Sequence, residues 1–199
     1  IVEGLYQSIR RSHRNLEPGT IRMARGPVEG YGFNRATRPY SMNPQAERDK
    51  YSSDLDKEMT LLRFDALDGR PLGMVNWLGV HPTSIGPANR LIGGDHKGLA
   101  AYWFERDQST DTRKEKTFVG AFALAPAGDV SPNLWGVADG IHDYEHMEII
   151  ARKQYDAAVE LYRSASEVLS GPVDARHRYV DFSKLHIDAL DVDTVPAAM

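Results

Sequence analysis

A serine that follows a predicted buried strand is the first residue of this chain that could do chemistry. The apolar run at residues 117–124 predicts the strand, and Ser131 follows it within the segment 128–133, which contains a glycine and a proline. A hydroxyl held at a strand end can act as a nucleophile or as a hydrogen-bond donor to an oxyanion. The same pattern also suits an ordinary turn before a proline. Asn133 replaces the second glycine of the nucleophile elbow G-x-S-x-G, which argues against an ordinary α/β-hydrolase.

A histidine follows a second predicted strand. Residues 72–80 predict a strand that runs directly into His81-Pro82-Thr83-Ser84. An imidazole fixed by a following proline suits zinc binding or proton transfer. The alternative is a structural histidine that bonds a loop carbonyl, since no second ligand stands at a standard spacing. Two strands that each end in a polar loop containing proline suggest one site at the carboxyl edge of a sheet.

An arginine in a long loop is the third candidate. Residues 26–46 show little periodicity and read as a loop, and long loops in compact domains are often functional. Arg35 lies in this loop. Its forked donors could hold a carboxylate or an oxyanion, and the alternative is a surface arginine.

Two further motifs are weaker. His142 and His146 have the i, i+4 spacing of a helical metal pair, but the segment is not H-E-x-x-H, and its acidic neighbours suit a helix start. Residues 93–98 could cradle an anion at a helix start, but they lack the spacing of a phosphate-binding loop. Capping of the helix by Asp95 is the interpretation that we favour.

The elements that must position these residues form an α+β pattern. The sequence predicts a hairpin, two long helices later in the chain, and a mixed β-sheet core flanked by helices. The predicted helices cover residues 2–16, 96–106 and 147–169, and the predicted strands cover 20–24, 59–64, 72–80, 118–124 and 179–187.

Composition excludes several classes of function. The 199 residues carry 24 basic and 28 acidic side chains, for a net charge of −4, which gives no electrostatic case for a nucleic-acid partner. The chain has no cysteine, so disulfides and thiolate metal sites are excluded. No apolar run approaches the roughly 20 residues of a membrane span, and no signal peptide is visible.

Taken in order, several segments resemble the neutral ceramidase family, the zinc-dependent enzymes that hydrolyse the amide of ceramide. The similarity extends over about residues 2–187. The segments that carry it are 33–44, 56–62, 76–84 with 94–102, 118–123 leading into 128–133, and 155–180.

The resemblance implies a role for each matched residue. His81 matches a zinc-binding histidine, Ser131 matches the catalytic serine, and Arg35 matches an arginine beside that serine. The chain departs from the family at Ala36, where a serine is frequent, and at His96, where an asparagine is frequent. These departures leave the three matched positions intact.

The resemblance also implies that residues 1–199 are an incomplete, internal portion of a single larger catalytic domain. The family's other zinc ligands, a histidine before Ile1 and a glutamate and a tyrosine after Met199, fall outside the sequence. The family's C-terminal immunoglobulin-like domain is also outside it. One zinc ligand is too few for a stable site, so the remaining segments of the same enzyme would have to complete it.

The function implied by the resemblance is zinc-dependent hydrolysis of ceramide to sphingosine and a fatty acid. The expected partners are ceramide or a related N-acyl lipid and, through that substrate, a membrane surface. The expected location is secreted, cell-surface or periplasmic. Two alternatives stay open: a hydrolase of other N-acyl lipids, and a non-catalytic lipid-binding or structural segment. No partner base with triad geometry is identifiable, which favours metal activation over a Ser-His-Asp relay.

Overall fold

The computed structural model describes residues 1–136 and 140–184 and confirms an α+β architecture around a mixed sheet. The main sheet has the strand order β5-β4-β3-β1-β7, and a small second sheet pairs β2 with β6. The strands are β1 (Gly19–Pro27), β2 (Phe33–Asn34), β3 (Glu58–Ala66), β4 (Pro71–Leu78), β5 (Val119–Leu124), β6 (Val130–Ser131) and β7 (Glu167–Val168). The helices are α1 (Val2–Arg14), α2 (Thr37–Met42), α3 (Gln45–Arg48), α4 (Asp95–Asp107) and α5 (Asp143–Ser164), with a 3₁₀ turn at Phe182–Lys184.

The predicted hairpin is confirmed as the pair β3 and β4. The two strands are antiparallel, with Leu62 opposite Val75. Gly69 has a positive φ of 85° in the connecting turn, a conformation that glycine adopts without steric cost. Met59 and Leu61 alternate with more exposed neighbours along β3, so one face of the hairpin is directed into the core.

Parallel pairing of β4 and β5 positions the candidate site. The two strands run side by side to the pair Leu78 and Leu124, with α4 in the connection between them. Their carboxyl ends therefore lie at the same edge of the sheet. The loops beyond that edge approach so closely that a Cβ on Gly79 would lie 2.4 Å from the carbonyl oxygen of Pro126. Only glycine fits there.

The core lies between the sheet and the helices α4 and α5. Aromatic rings fill much of it: Phe104 meets Tyr162 edge-on with ring centroids 5.4 Å apart, and it stacks on Phe118 at 5.9 Å. These contacts fix α4 and α5 against each other and against β5. The helices carry polar side chains toward the site edge, so their fixed position determines where those side chains lie.

The first helix is confirmed but packs loosely. None of the residues of α1 is buried. Asn15, which caps its end, donates from its side-chain amide to the carbonyl oxygen of Glu115 at 2.8 Å, and Arg11 bonds the same oxygen at 3.1 Å. The apolar side chains Val2, Leu5 and Ile9 of α1 are exposed.

Three predicted elements differ from the structure. The loop predicted over 26–46 contains β2 and α2, and its first and last residues belong to β1 and α3. The helix predicted to reach residue 169 ends at Ser164, because residues 167–168 instead pair with β1. The strand predicted over 179–187 is wrong within its described part: the chain there is irregular before the 3₁₀ turn, and residues 185–187 lie outside the described residues. The edge strand next to β1 is β7.

The described part of the chain contains no helix with the length and apolar character needed to cross a membrane.

Candidate active site

The loops that follow β4 and β5 meet at the sheet edge. The backbone N–H of His81 donates to the carbonyl oxygen of Val130 at 3.2 Å. His81 is partly buried, and Ser131, the residue after Val130, is 9% exposed. The structure therefore brings the histidine and the serine of the two predicted strand ends onto neighbouring backbone segments.

The short strand β2 brings the arginine to the same place. Phe33 lies opposite Ser131 in the β2–β6 pair, and the backbone N–H of Arg35 donates to the carbonyl oxygen of Asp129 at 2.7 Å. The approach is close, since a Cβ on Gly32 would lie 2.8 Å from the carbonyl oxygen of Ser131. A two-residue strand is too short to produce a readable alternation, which is why sequence reasoning placed Arg35 in a loop.

The guanidinium group of Arg35 bridges the two loops. Its Nη2 donates to the carbonyl oxygen of Gly128 at 2.9 Å and lies 3.3 Å from Nε2 of His81. A guanidinium can only donate, so Nε2 of His81 presents its lone pair to the arginine. The arginine is exposed, and the pair is open to solvent on that side. In this arrangement the Nε2 lone pair is occupied by the arginine, so Nε2 can bind a cation or take up a proton only when this contact opens.

Ser131 is held in a tight local turn. Its Oγ accepts a hydrogen bond from the backbone N–H of Asn133 at 3.2 Å. This contact matches the alternative reading of the sequence, a serine in a turn before a proline. It occupies one acceptor position of the hydroxyl, and the hydroxyl hydrogen can still be donated.

Asn34 supports the arginine and was not singled out from the sequence as a site residue. Its side chain is 2% exposed and donates to the carbonyl oxygen of Asp54 at 3.0 Å and to the carboxylate of Asp129 at 3.2 Å. Its own carbonyl oxygen accepts from the backbone N–H of Ala36 at 2.7 Å. One buried amide thus fixes both sides of Arg35. Its position beside Arg35 was the only available signal.

A second group of polar side chains lies beneath the loops and was also missed. Nε2 of His96 lies 2.9 Å from the carbonyl oxygen of His81, and Nδ1 of His96 lies 2.7 Å from the side-chain amide of Gln154. Lys97 donates to Gln154 at 3.3 Å and to the carbonyl oxygens of Leu78 and Ala123 at 3.1 and 3.0 Å. Burial lowers the pKa of His96 to about 4 and that of Lys97 to about 8.

Asp95 does not cap α4 as predicted. Gly94 is the N-cap residue, and Asp95 has a positive φ of 51°. Its carboxylate accepts from the backbone N–H groups of Ser84 and Ile85 at 3.2 and 2.9 Å, and also from that of His96 at 2.7 Å. Asp95 therefore ties the loop after His81 to the helix. Because this carboxylate already occupies the N–H of His96, the segment does not form the open anion cradle that the sequence allowed.

Comparison with known proteins gives consistent matches to a single family. Residues 1–143 match the family model for the N-terminal part of neutral/alkaline non-lysosomal ceramidases. Neutral ceramidase 2 of Arabidopsis thaliana is 31% identical over 100% of this chain and 38% of its own length. Neutral ceramidase of Pseudomonas aeruginosa is 34% identical over 94% of this chain and 28% of its own length. A crystal structure of neutral ceramidase from Pseudomonas aeruginosa superposes with a TM-score of 0.74 at 32% identity, covering 86% of this chain and 27% of that one.

The chain belongs to the neutral/alkaline non-lysosomal ceramidase family.

The chain spans about a third of the length of the curated relatives that it matches. The expected membership is thereby confirmed, and so is the expectation that the sequence corresponds to part of a larger family member.

Side chains that could bind a metal ion do not form a cluster in the described residues. Within residues 1–136 and 140–184, no group of three or more His, Asp or Glu side chains is arranged to hold a metal ion. His146 stacks on Trp135 with ring centroids 4.3 Å apart, and the ring of His142 lies 6.0 Å from that of His146. The i, i+4 pair is thus part of an aromatic stack.

Two surface hollows lie beside the site rather than in it. The smaller has a volume of about 300 Å³ and is lined by residues 29–34, 37, 53–55 and 57. The larger, of about 740 Å³, is lined mainly by residues 50–58. Asn34 lines the smaller hollow, whereas Arg35, His81 and Ser131 line neither of them.

Proposed function

We propose that the full-length protein hydrolyses the amide bond of ceramide to sphingosine and a fatty acid, with zinc as its cofactor. The observation that carries this proposal is the convergence of Arg35, His81 and Ser131 at one sheet edge in a chain of the neutral ceramidase family. Arg35 and His81 are in direct contact, and the backbone of His81 bonds the residue before Ser131.

The residues present fit a contribution to a zinc site rather than a complete one. His81 supplies a partly buried imidazole, and its Nε2 would bind zinc in place of the contact with Arg35 at 3.3 Å. Imidazole nitrogen is a preferred zinc ligand, and a zinc site needs at least three protein ligands, so the others would come from outside the described residues. When bound, zinc polarises a carbonyl oxygen and lowers the pKa of a bound water to about 7.

Ser131 and Arg35 would act on the amide itself. The Ser131 hydroxyl either attacks the carbonyl carbon, forming an ester as the amine leaves with a proton, or donates a hydrogen bond to the developing oxyanion. In the first case water then cleaves the ester to release the fatty acid. The Arg35 guanidinium is exposed beside His81, where its donors can stabilise negative charge on the substrate oxygen.

Substrate and location follow from the same proposal. We expect an N-acyl lipid as substrate, taken from a membrane surface by an enzyme that is secreted or acts at the cell surface or in the periplasm. Hydrolysis of other N-acyl lipids is the nearest alternative, and a panel of N-acyl substrates separates the two.

Replacement of His81 by Ala in the full-length protein tests the proposal. We expect zinc content, measured by elemental analysis, and ceramide hydrolysis to fall together. His146→Ala is the matched control, because His146 stacks on Trp135 instead of contacting Arg35. Full zinc occupancy in His81→Ala would contradict the ligand assignment. An unmodified protein that binds ceramide without cleaving it would instead support a lipid-binding segment.

A further inference from the structure

Three buried polar side chains lie directly beneath the proposed site and take no part in the reaction as described. His96 and Gln154 are 0% exposed, and Lys97 is 7% exposed. Each of them makes hydrogen bonds. We refer to His96, Lys97 and Gln154 as the support network.

The direction of each hydrogen bond in the support network is determined. The ammonium group of Lys97 can only donate, so the oxygen of the Gln154 amide faces it, 3.3 Å away. The amide nitrogen of Gln154 must then donate to Nδ1 of His96, at 2.7 Å. A neutral imidazole that accepts at Nδ1 carries its hydrogen on Nε2, and this hydrogen points to the carbonyl oxygen of His81, at 2.9 Å. The carbonyl oxygen of His81 can only accept. The directions derived from Lys97 at one end of this series of hydrogen bonds are therefore consistent with the acceptor at the other end.

The support network holds the backbone on both sides of the site. The peptide groups of His81 are bonded in two directions, since the N–H donates to Val130 and the carbonyl oxygen accepts from His96. Lys97 bonds the carbonyl oxygens of Leu78 and Ala123, at the ends of the parallel strands β4 and β5. The strand ends that carry the histidine loop and the serine loop are therefore held by one ammonium group.

We propose that the support network of His96, Gln154 and Lys97 positions His81 relative to Ser131, with His96 as its point of contact. The proposal rests on the proposed function, since it assigns these side chains a task in the same site. They act as positioning residues and do not touch substrate. A purely architectural role would be satisfied by apolar side chains of similar volume, which often stabilise a core as well as a buried polar group does. Here the contact of His96 instead ends on the backbone of the proposed metal ligand, and those of Lys97 end on Leu78 and Ala123.

Replacement of His96 by Phe in the full-length enzyme tests the proposal. Phenylalanine keeps a ring and removes both hydrogen bonds of the imidazole. We expect kcat for ceramide to fall by about 10- to 100-fold, with KM changed much less, and zinc to be extracted faster by a chelator. His96→Gln should restore much of both quantities, because an amide has one donor and one acceptor group to replace those of the neutral imidazole.

A stability-matched control separates positioning from folding. Leu61 is 0% exposed in β3, and a Leu61→Val or Leu61→Ala variant with the same loss in Tm as His96→Phe provides the reference. If the reference variant loses kcat and zinc to the same extent as His96→Phe, or if His96→Gln restores neither, the positioning role is refuted. An unmodified enzyme that does not cleave ceramide refutes the proposed function separately, and the zinc-extraction comparison still decides the positioning role.

Discussion

Two layers of polar residues at one sheet edge differ in how completely they are enclosed. The site layer contains Arg35, His81 and Ser131, of which the arginine is exposed, the histidine is partly buried and the serine is 9% exposed. The support network beneath it is almost fully enclosed. Groups that must meet a ligand keep open hydrogen-bonding positions, whereas enclosed groups must satisfy theirs internally. The comparison predicts that changes in the site layer act mainly on rate, and changes in the support network act on both rate and stability.

The largest effect is expected from Ser131→Ala in the full-length enzyme. Loss of a nucleophile typically lowers kcat by about 10⁶-fold, and loss of one oxyanion donor lowers it by about 10²- to 10³-fold. The measured factor therefore selects between the two roles. Ser84→Ala is the control, because Ser84 is a buried serine near the same sheet edge whose hydroxyl has no hydrogen-bond partner among the described residues. Activity of Ser131→Ala within a few-fold of the unmodified enzyme would remove Ser131 from the mechanism.

A pH effect on stability is expected from the support network. Burial lowers the pKa of His96 to about 4 in the folded protein, and the pKa of an unfolded histidine is about 6.5. The unfolded chain therefore binds the proton more readily, and stability is lost as the pH falls from about 6.5 to about 4. The 2.5-unit difference corresponds to about 3 kcal/mol at the acid end of that window.

The difference in Tm between the unmodified protein and His96→Gln isolates this contribution from other titrating groups. Between pH 7 and pH 4 the Tm of the unmodified protein should fall by several degrees more than that of the variant. Equal losses in the two proteins would mean that His96 is protonated in the folded state without penalty.

A smaller effect on rate, with almost none on stability, is expected from Arg35→Ala. The side chain is exposed, so the variant should unfold within about 0.5 kcal/mol of the unmodified protein. Ceramide hydrolysis should fall by about 10-fold or more as one charge-stabilising group is removed. Arg38→Ala is the matched control, an exposed arginine three residues further along in α2. Equal activity of the two variants would contradict a role for Arg35 beside Ser131.

The sequence predicted that His81 and Ser131 lie at the same sheet edge. It did not predict the contact of Arg35 with His81 or the support network beneath them. Alternating and apolar runs identified β4 and β5, and parallel neighbours place their carboxyl ends together. The position of Arg35 depends on the two-residue pair of β2 with β6, which is too short to show a period. Resemblance to a family supplied the role expected of Arg35, but not its contact with His81.

The burial of the support network could not be predicted from the sequence, for a different physical reason. His96 and Lys97 open α4 at positions where polar side chains usually face solvent, and Gln154 lies 57 residues beyond Lys97 in another helix. Burial of such groups depends on partners that only the folded chain brings together. The same limit explains why residues 179–184, the described part of the strand predicted over 179–187, are not a strand, since alternation alone did not provide a neighbouring strand.

The smallest effect is expected at a second buried polar group of α5. Gln154 bonds two members of the support network, whereas the hydroxyl of Tyr162, two turns further along, is buried without a hydrogen-bond partner among the described residues. Removal of an unpartnered hydroxyl should leave stability unchanged or raise it by up to about 1 kcal/mol. The guanidinium of Arg63 lies over the Tyr162 ring, 4.5 Å from its centroid. The Tyr162→Phe variant retains this cation–π contact because it retains the ring.

The Tm values of Tyr162→Phe and Gln154→Leu in the full-length protein test this prediction. Both variants replace a buried polar side chain of α5 by an apolar one, but only Gln154→Leu leaves partners behind, at His96 and Lys97. We therefore expect Gln154→Leu to lower Tm by several degrees and Tyr162→Phe to leave it within about 2 °C. A clear loss of Tm in Tyr162→Phe would mean that the hydroxyl has a partner in the rest of the full-length protein. Burial alone would then not separate the support network from other polar groups in this core.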